Sequence, residues 1–342
     1  MPEESTDHID FKELNQRAVS QPLVTHLFTA DPSAHVFDGK IYIYPSHDID
    51  AAIPFDDLGS HFAMEDYHVF SMDNPHAAVV DHGVALHLRD VPWAGKQLWA
   101  PDATEKKGTY YLFFPAKDHD GVFRIGVATS RSPAGPFRAQ PQPIRNSFSI
   151  DPAVFNDDGR YYLYFGGIWG GQLQRWRSGT FNSAGEGPLV HLPADDEPAL
   201  CAKMARLDDS LLEFAEMPVD ILICDEDGKP ILQGDNERRF FEAPWVHKHN
   251  DTYYFSYSTG DTHYICYATG DNPYGPFTYR GRILNPVVGW TSHHSIVAFE
   301  DKWYLFYHDS SLSEGVTHLR SMKMVELIHD GAGQIQTIHP YG

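Results

Sequence analysis

The chain has 342 residues, 42% of them hydrophobic and 21% charged, which is the composition of a soluble globular protein large enough to bury a sizeable core. Its formal net charge of −21 argues against an electrostatic grip on nucleic acid, and it has no apolar run long enough to predict a membrane span. Aromatic residues make up 13% of the chain, a share that favours β-strands and suits stacking against sugar rings.

The first 21 residues are polar and are predicted to form an N-terminal extension, with a short helix around residues 11–19. They lack the apolar stretch of a secretory signal, so we expect a cytoplasmic protein provided that no signal precedes the given sequence. Residues 22–28 follow as a predicted strand, and residues 22–342 are predicted to form one domain.

A β-hairpin with an aromatic second strand recurs five times along the chain. In the first copy, an apolar strand is followed by a tight turn at Asp38 and Gly39 and then by the aromatic strand. The aromatic strands are residues 41–44, 110–114, 161–165, 253–257 and 303–307. Each of them follows a turn signal, which predicts the same hairpin in every copy.

Longer repeats indicate that the hairpins belong to larger equivalent units. Residues 125–130 run into a Pro-x-Gly-Pro-Phe turn, and residues 265–270 run into the same turn. Repeated units of several short strands are typical of a β-propeller, so five units predict an all-β, five-bladed β-propeller. A β-sandwich with a second domain would not explain why the strand and its turn recur in phase. The insertion at residues 166–239 lacks an apolar core of its own and is assigned to the third and fourth blades.

Each copy carries a chemically distinctive residue at an equivalent position before its aromatic strand. Counted back from the tyrosines at positions 42, 111, 162, 254 and 304, this position is 11 residues away in three copies and 12 in two. The residues found there are Asp31, Trp99, Asp151, Glu242 and His293. Because the first strand of every propeller blade lines the central channel, these side chains are predicted to meet at one mouth.

Three carboxylates at one mouth repel one another, so at least one should have a raised pKa. Any one of these acids, read alone, is ordinary turn chemistry, but three in register favour a functional site. Glycoside hydrolysis needs one protonated carboxylic acid for the leaving oxygen and one ionised carboxylate that activates water or attacks the sugar. Asp31, Asp151 and Glu242 could supply both, with Trp99 as an apolar wall for a sugar ring.

At these residues the sequence resembles glycoside hydrolase family 43, five-bladed propeller enzymes that cut arabinose- and xylose-containing plant polysaccharides. The motifs that carry the resemblance are Ala30-Asp31-Pro32, Trp99-Ala100-Pro101-Asp102, Ile150-Asp151-Pro152-Ala153-Val154-Phe155, Glu242-Ala243-Pro244-Trp245-Val246 and His293-His294-Ser295-Ile296-Val297. They span residues 30–297 in the family's order, so the resemblance covers nearly the whole chain.

The resemblance implies an inverting mechanism and a role for each acid. Asp31 matches the general base that activates water, Glu242 matches the general acid, and Asp151 matches the residue that tunes the pKa of the acid and orients it. Inversion requires about 6.5–9.5 Å between base and acid, to leave room for the water.

The resemblance also suggests residues around the acids. His293 matches a central histidine that lies near a calcium ion in several members; either calcium with a shell completed by water, or a hydrogen-bonding histidine without metal, is compatible with a lone imidazole. Arg320 matches an arginine that some members place in the sugar pocket. His47 with Asp48 could line the pocket or form a loop, Trp169 is a further candidate for a substrate contact, and Trp290 is interpreted as a packing residue. No organic cofactor is expected.

The predicted function is exo-acting release of xylose, arabinose or both from xylan- or arabinan-derived oligosaccharides. A sugar-binding propeller without catalysis, an endo-acting arabinanase of the same family and a retaining mechanism remain alternatives. The sequence leaves open the preferred sugar, the linkage and the oligomeric state.

Overall fold

The computed structural model describes residue 6 and residues 8–342, so residues 1–5 and 7 of the predicted extension lie outside the described residues. Five sheets of three to five strands follow one another along the chain. The inner strand of each sheet contacts the inner strands of the two sheets beside it, which closes a ring around a central channel. The prediction of an all-β, five-bladed propeller is confirmed.

The strands fall into the blades in chain order. The first blade contains β1 (Phe28–Phe37), β2 (Lys40–Asp48), β3 (Asp66–Met72) and β4 (Val80–His87). The second contains β5 (Ala94–Lys96), β6 (Asp102–Lys106), β7 (Thr109–Asp118), β8 (Phe123–Ser130) and β9 (Arg138–Ala139). The third contains β10 (Ala153–Asp157), β11 (Arg160–Phe165), β12 (Ala202–Arg206) and β13 (Val219–Ile221). The fourth contains β14 (Ile223–Cys224), β15 (Glu242–His249), β16 (Thr252–Ser258), β17 (Ile265–Gly270) and β18 (Phe277–Leu284). The fifth contains β19 (His294–Phe299), β20 (Lys302–Asp309) and β21 (Ser321–Leu327).

The five aromatic segments are β2, β7, β11, β16 and β20, and each pairs with the inner strand of its blade. In four of the five connecting turns, two consecutive residues have positive φ, as in Asp38 (51°) and Gly39 (77°). This is the geometry of a two-residue hairpin turn whose twist matches that of the strands. In these four hairpins, the turn residues therefore agree with the register that the strands adopt next to the turn.

The prediction of a strand at residues 22–28 is wrong. β1 begins only at Phe28, and the preceding segment meets β21 through a hydrogen bond from Leu23 N to Met322 O; a further bond, from Thr29 N to Arg320 O, already starts within β1. A regular ladder fails here partly because Pro22 has no N–H to donate. The segment still joins the first and last blades, and the predicted helix is present as α1 (Phe11–Arg17).

Apolar side chains fill the spaces between neighbouring blades. At the seam between the first and fifth blades, Ile41, Ile43 and Phe70 pack with Tyr304 and Phe306, all of them buried. The insertion at residues 166–239 supplies β12 to β14 and 3-10 turns at Trp169–Gly171 and Leu173–Trp176. Within the described ranges, no helix is both long enough and apolar enough to cross a membrane.

Candidate active site

One pocket at the mouth of the channel collects the aligned residues. It holds about 640 Å³ of space, including the part that is open to solvent. The five aligned side chains that line it are Asp31, Trp99, Asp151, Glu242 and His293. Arg320 and Trp169 line the same pocket. Counting back from the aromatic strands therefore located residues that lie up to 262 positions apart in the sequence but converge in space.

Asp31 lies in a buried, strongly polar environment. Its Oδ2 accepts a hydrogen bond from Ser46 Oγ at 2.7 Å, and its Oδ1 accepts one from Arg320 Nη1 at 3.0 Å. Burial alone would raise the pKa of Asp31, but the charge of Arg320, followed by His293 and His308 where they are protonated at low pH and by the Ser46 hydroxyl, outweighs it and lowers this pKa to about 2. Asp31 is therefore an ionised carboxylate at neutral pH.

Arg320 is shared between two carboxylates. Its Nε and Nη2 donate to Asp48 Oδ2 and Oδ1 at 2.8 and 2.7 Å, which is the bidentate geometry that suits a guanidinium, while Nη1 reaches Asp31. The guanidinium also lies over the ring of Phe62, 4.8 Å from its centroid. Asp48 provides two of the hydrogen bonds of the buried guanidinium, and the remaining Nη1 orients Asp31.

Asp151 and Glu242 are pocket acids with raised pKa values. Burial and then repulsion from Glu242 and Asp31 raise the pKa of Asp151. Burial and the charge of Asp31, opposed by Arg320, raise the pKa of Glu242 to about 8. Asp151 is the deeper of the two, 4% exposed, and its Oδ2 accepts a hydrogen bond from the backbone N–H of Ala243 at 2.9 Å. This bond connects Asp151 to the strand that carries Glu242. Because the pKa values of both acids are raised, the pair retains a proton at neutral pH.

His293 lies between the two aspartates of the pocket. Its Nδ1 is 3.7 Å from Asp31 Oδ1 and 3.8 Å from Asp151 Oδ2. Burial lowers the pKa of His293, so the ring is neutral and has a free lone pair. A neutral imidazole beside two carboxylates fits a cation, but calcium would need water for most of its six to eight oxygen ligands, because these residues do not form a cage.

The pocket has aromatic walls. Trp99 lies against Phe123, with ring centroids 4.6 Å apart, and donates its indole N–H to Phe62 O at 2.8 Å. Trp169 lines the same pocket and contacts Trp290, with ring centroids 5.4 Å apart. Trp290 lines the pocket as well, so its interpretation as a packing residue was incomplete. Aromatic faces of this kind suit the C–H surfaces of a sugar ring.

Two loops approach each other closely over one side of the pocket. A Cβ at Gly170 would lie 2.6 Å from Leu58 O, and a Cβ at Gly59 would lie 2.8 Å from the Trp99 ring. Gly59 also has φ of +73°, which a larger residue would adopt only with strain. Glycine at both positions lets the loops close the pocket on this side.

His47 is not part of the pocket. Its Nδ1 lies 2.7 Å from Asp66 Oδ1, on the flank of the first blade. Successive residues of a strand face opposite sides, and the next residue, Asp48, is the one that faces inward and holds Arg320. The structure therefore does not support a substrate contact by His47, and Asp48, the other candidate at this strand end, acts on the pocket through Arg320.

Sequence reasoning missed several residues around Asp31. The backbone N–H of Asp31 donates to His308 Nδ1 at 2.9 Å, which leaves the proton of the neutral ring on Nε2, facing Thr291 O at 3.1 Å. This contact supports Asp31 in its left-handed conformation, with φ of 49°. His61 also lines the pocket, and its buried Nε2 has no hydrogen-bond partner within the described part of the chain. Neither His308, near the end of β20, nor His61, in a loop, belongs to a recurring pattern that would mark it in the sequence.

Comparisons with known proteins agree with this geometry. The model of the glycosyl hydrolases family 43 matches residues 19–191 and 200–331. Xylosidase/arabinosidase 43A of Humicola insolens is 56% identical over 325 residues, covering 93% of this chain and 99% of that protein. A xylosidase/arabinosidase of Bacteroides ovatus is 58% identical over 318 residues, covering 92% of this chain and 96% of that protein.

Solved structures give the same result. A family 43 β-xylosidase/α-arabinofuranosidase from a compost microbial metagenome, in complex with xylotriose and in a calcium-free form, superposes with a TM-score of 0.92 at 65% identity, covering 94% of this chain and 98% of that one. A GH43_1 enzyme from Xanthomonas citri complexed with xylotriose superposes with a TM-score of 0.91 at 58% identity, covering 97% of each chain. With its propeller, its pocket acids and these relatives, the chain is a glycosidase that belongs to glycoside hydrolase family 43.

Proposed function

We propose that this glycosidase removes xylose, arabinose or both from the ends of xylan- or arabinan-derived oligosaccharides, with inversion at the anomeric carbon. The observation that carries the proposal is the opposite protonation of acids in one pocket, an ionised Asp31 and a protonated Asp151–Glu242 pair. The substrate class is supported by relatives named as xylosidase/arabinosidases and by neighbours complexed with xylotriose.

In the proposed reaction, Asp31 acts as the general base. Its carboxylate takes a proton from a water molecule, which attacks the anomeric carbon from the face opposite the leaving group. Arg320 and Ser46 hold the carboxylate in place and keep it ionised. The negative charge of Asp31 also stabilises the positive charge that develops on the sugar ring in the transition state.

Glu242 is the proposed general acid. The proton of the acid pair is assigned to Glu242 for transfer, because Glu242 is half-buried at the pocket surface while Asp151 is fully buried beneath it. Glu242 donates this proton to the glycosidic oxygen as the bond breaks. Repulsion from Glu242 raises the pKa of Asp151, so the pair of acids retains a proton at neutral pH.

Exo action is supported by the shape of the pocket. The Gly170 loop meets Leu58, which narrows one side, and Trp169 with Trp290 forms a wall on the same side. His61 and Trp169 line this pocket, and within the described residues neither His61 Nε2 nor Trp169 Nε1 has a hydrogen-bond partner, so both are candidate donors or acceptors for a bound sugar. A pocket with these limits suits the terminal sugar better than the middle of a long chain.

Product analysis tests the proposal. The wild-type enzyme should release only monosaccharide from xylobiose, xylotriose and short arabinan fragments, and NMR should show the first-formed sugar with inverted anomeric configuration. Mid-length products from linear arabinan would favour the endo-acting alternative. Retained configuration would require a nucleophile in place of a base, and absence of hydrolysis of any pentoside would favour a sugar-binding protein.

The pH dependence of kcat/KM should have its alkaline limb near pH 8, because above the raised pKa of Glu242, about 8, the acid has lost the proton it must donate. On the acid side, Asp31 has a pKa of about 2 and stays ionised, so activity should persist until the fold itself is lost. Initial rates on xylobiose across pH would measure both limbs, with pre-incubation at each pH as the control for unfolding. An alkaline limb near the usual pKa of a glutamate would contradict this assignment.

We further propose that calcium binds in the channel with His293 as its side-chain ligand and water as the remaining donors. Bound calcium would supply positive charge beside Asp31 and Asp151. Adding calcium to chelator-treated protein should raise the thermal melting temperature of the wild type and leave that of His293→Ala unchanged. An unchanged melting temperature in the wild type would assign His293 to hydrogen bonding without metal.

A further inference from the structure

A cluster of histidines and aspartates lies on the flank of the first blade, outside the pocket. The pairing of β2 with β3 matches Ile43 with Phe70, and extending that register places His47 opposite Asp66. His68 is two residues beyond Asp66 on β3 and therefore faces the same side of the sheet. Two adjacent strands thus present two imidazoles and one carboxylate on a common face.

The donor atoms of this cluster are close enough to share an ion. One atom from each of His47, Asp66 and His68 lies within 4.8 Å of the other two. The 2.7 Å between His47 Nδ1 and Asp66 Oδ1 and the 5.0 Å between the two ring centroids leave only small side-chain rotations to bring all three onto one ion. Two ligands about 2.0–2.2 Å from a tetrahedral zinc are themselves about 3.4 Å apart, which is within reach of these positions.

A second carboxylate orients one of the imidazoles. Asp81 Oδ1 lies 3.0 Å from His68 Nδ1, so His68 would bind an ion through Nε2, and the other oxygen of Asp81 lies 2.8 Å from His26 Nε2. Metal-binding histidines commonly donate their second ring N–H to a carboxylate in this way. Side-chain exposures of 16% for His47, 17% for Asp66 and 13% for His68 show that the three groups are held by their surroundings yet open to an ion from solvent.

The types of donor atom in this cluster indicate which metal ions it would prefer. Two imidazole nitrogens and one carboxylate oxygen suit zinc and its neighbours in the transition series, whereas calcium prefers oxygen ligands alone. A metal here would join β2 to β3 directly before Asp48, the residue that holds Arg320 from the opposite side of β2. The site is therefore distinct from the channel, but it lies on the strand that supports the pocket.

We propose that His47, Asp66 and His68 bind one zinc-class divalent ion, with Asp81 orienting His68 and water in the remaining position. The bound ion stabilises the first blade. This proposal depends only on the flank cluster and stands whether or not the glycosidase assignment above is correct in its details.

Titration of the tag-free, metal-stripped protein tests the site. Isothermal calorimetry with Zn²⁺ should show one site, and Co²⁺ in its place should give the visible absorption of a cobalt ion with nitrogen ligands. His47→Ala and His68→Gln should each weaken Zn²⁺ binding at least tenfold, and Asp81→Asn should weaken it by about 10–100-fold. His76→Ala is the matched control, because His76 is an exposed histidine on the same blade and away from the cluster.

His47→Ala and His68→Gln change two different ligands, so a loss of binding in both is not explained by the misfolding of one variant. Circular dichroism should show that both variants are folded. Zn²⁺ should also raise the melting temperature of the wild type and of His76→Ala, but not that of the two ligand variants. Absence of Zn²⁺ binding in the wild type, or equal affinity in folded His47→Ala and His68→Gln, would show that the cluster is only a hydrogen-bonded histidine–aspartate network.

Discussion

Asp31→Asn should lower kcat/KM for pentoside hydrolysis at least about 10³-fold, within the range that general-base catalysis supplies. The substitution keeps the volume of the side chain but removes the charge that accepts the proton of water. The backbone should tolerate it, because asparagine adopts the left-handed region that Asp31 occupies at φ of 49°. Rates on an aryl xyloside and on xylobiose should fall together, since water must be activated for both.

The buried cation is the main structural concern in this variant. Arg320 loses one anionic partner but keeps the bidentate contact with Asp48, so a folded protein is expected. Asp301→Asn, in an exposed turn, is the matched control and should retain full activity. Folded Asp31→Asn with near-normal activity would remove Asp31 as the base, and an unfolded variant would indicate a structural role instead.

The propeller could be predicted because its signals are local and repeated. A two-residue turn and an aromatic strand recur in every blade, and each copy constrains the others. The strand predicted at residues 22–28 had no such support. This segment contacts β21, almost 300 residues away, through an isolated hydrogen bond, and neither segment belongs to a repeated hairpin that would reveal the contact in the sequence.

The pocket acids could be predicted for the same reason. In a propeller, residues at the same distance before each aromatic strand lie at equivalent positions around the channel and therefore meet at its mouth. Residues outside this repeat lacked that support: Arg320 was named only through the family resemblance, and His308 was missed. Asp48 and His308 lie near the ends of strands, where a shift of one residue exchanges the inner face for the outer one, so spacing alone could not assign their sides. His61 and Trp290 lie in loops, whose paths depend on contacts such as that between Gly170 and Leu58.

Glu242→Gln should have an effect that depends on the leaving group. Xylobiose has a poor leaving group that needs the proton, so its kcat/KM should fall by about 10²–10⁴-fold. An aryl xyloside with a strongly acidic phenol leaves without help, and its rate should fall much less. The alkaline limb near pH 8 should also disappear for the aryl substrate, because that limb is attributed to the Glu242 proton.

The difference between the two substrates separates the acid from the base. Asp31→Asn should reduce both rates alike, whereas Glu242→Gln should reduce one selectively, so folding defects cannot imitate the second pattern. Glu226→Gln, at an exposed turn, is the matched control. Equal losses on both substrates in folded Glu242→Gln would argue against proton donation by Glu242, and the buried Asp151 would then be the candidate holder of the transferred proton.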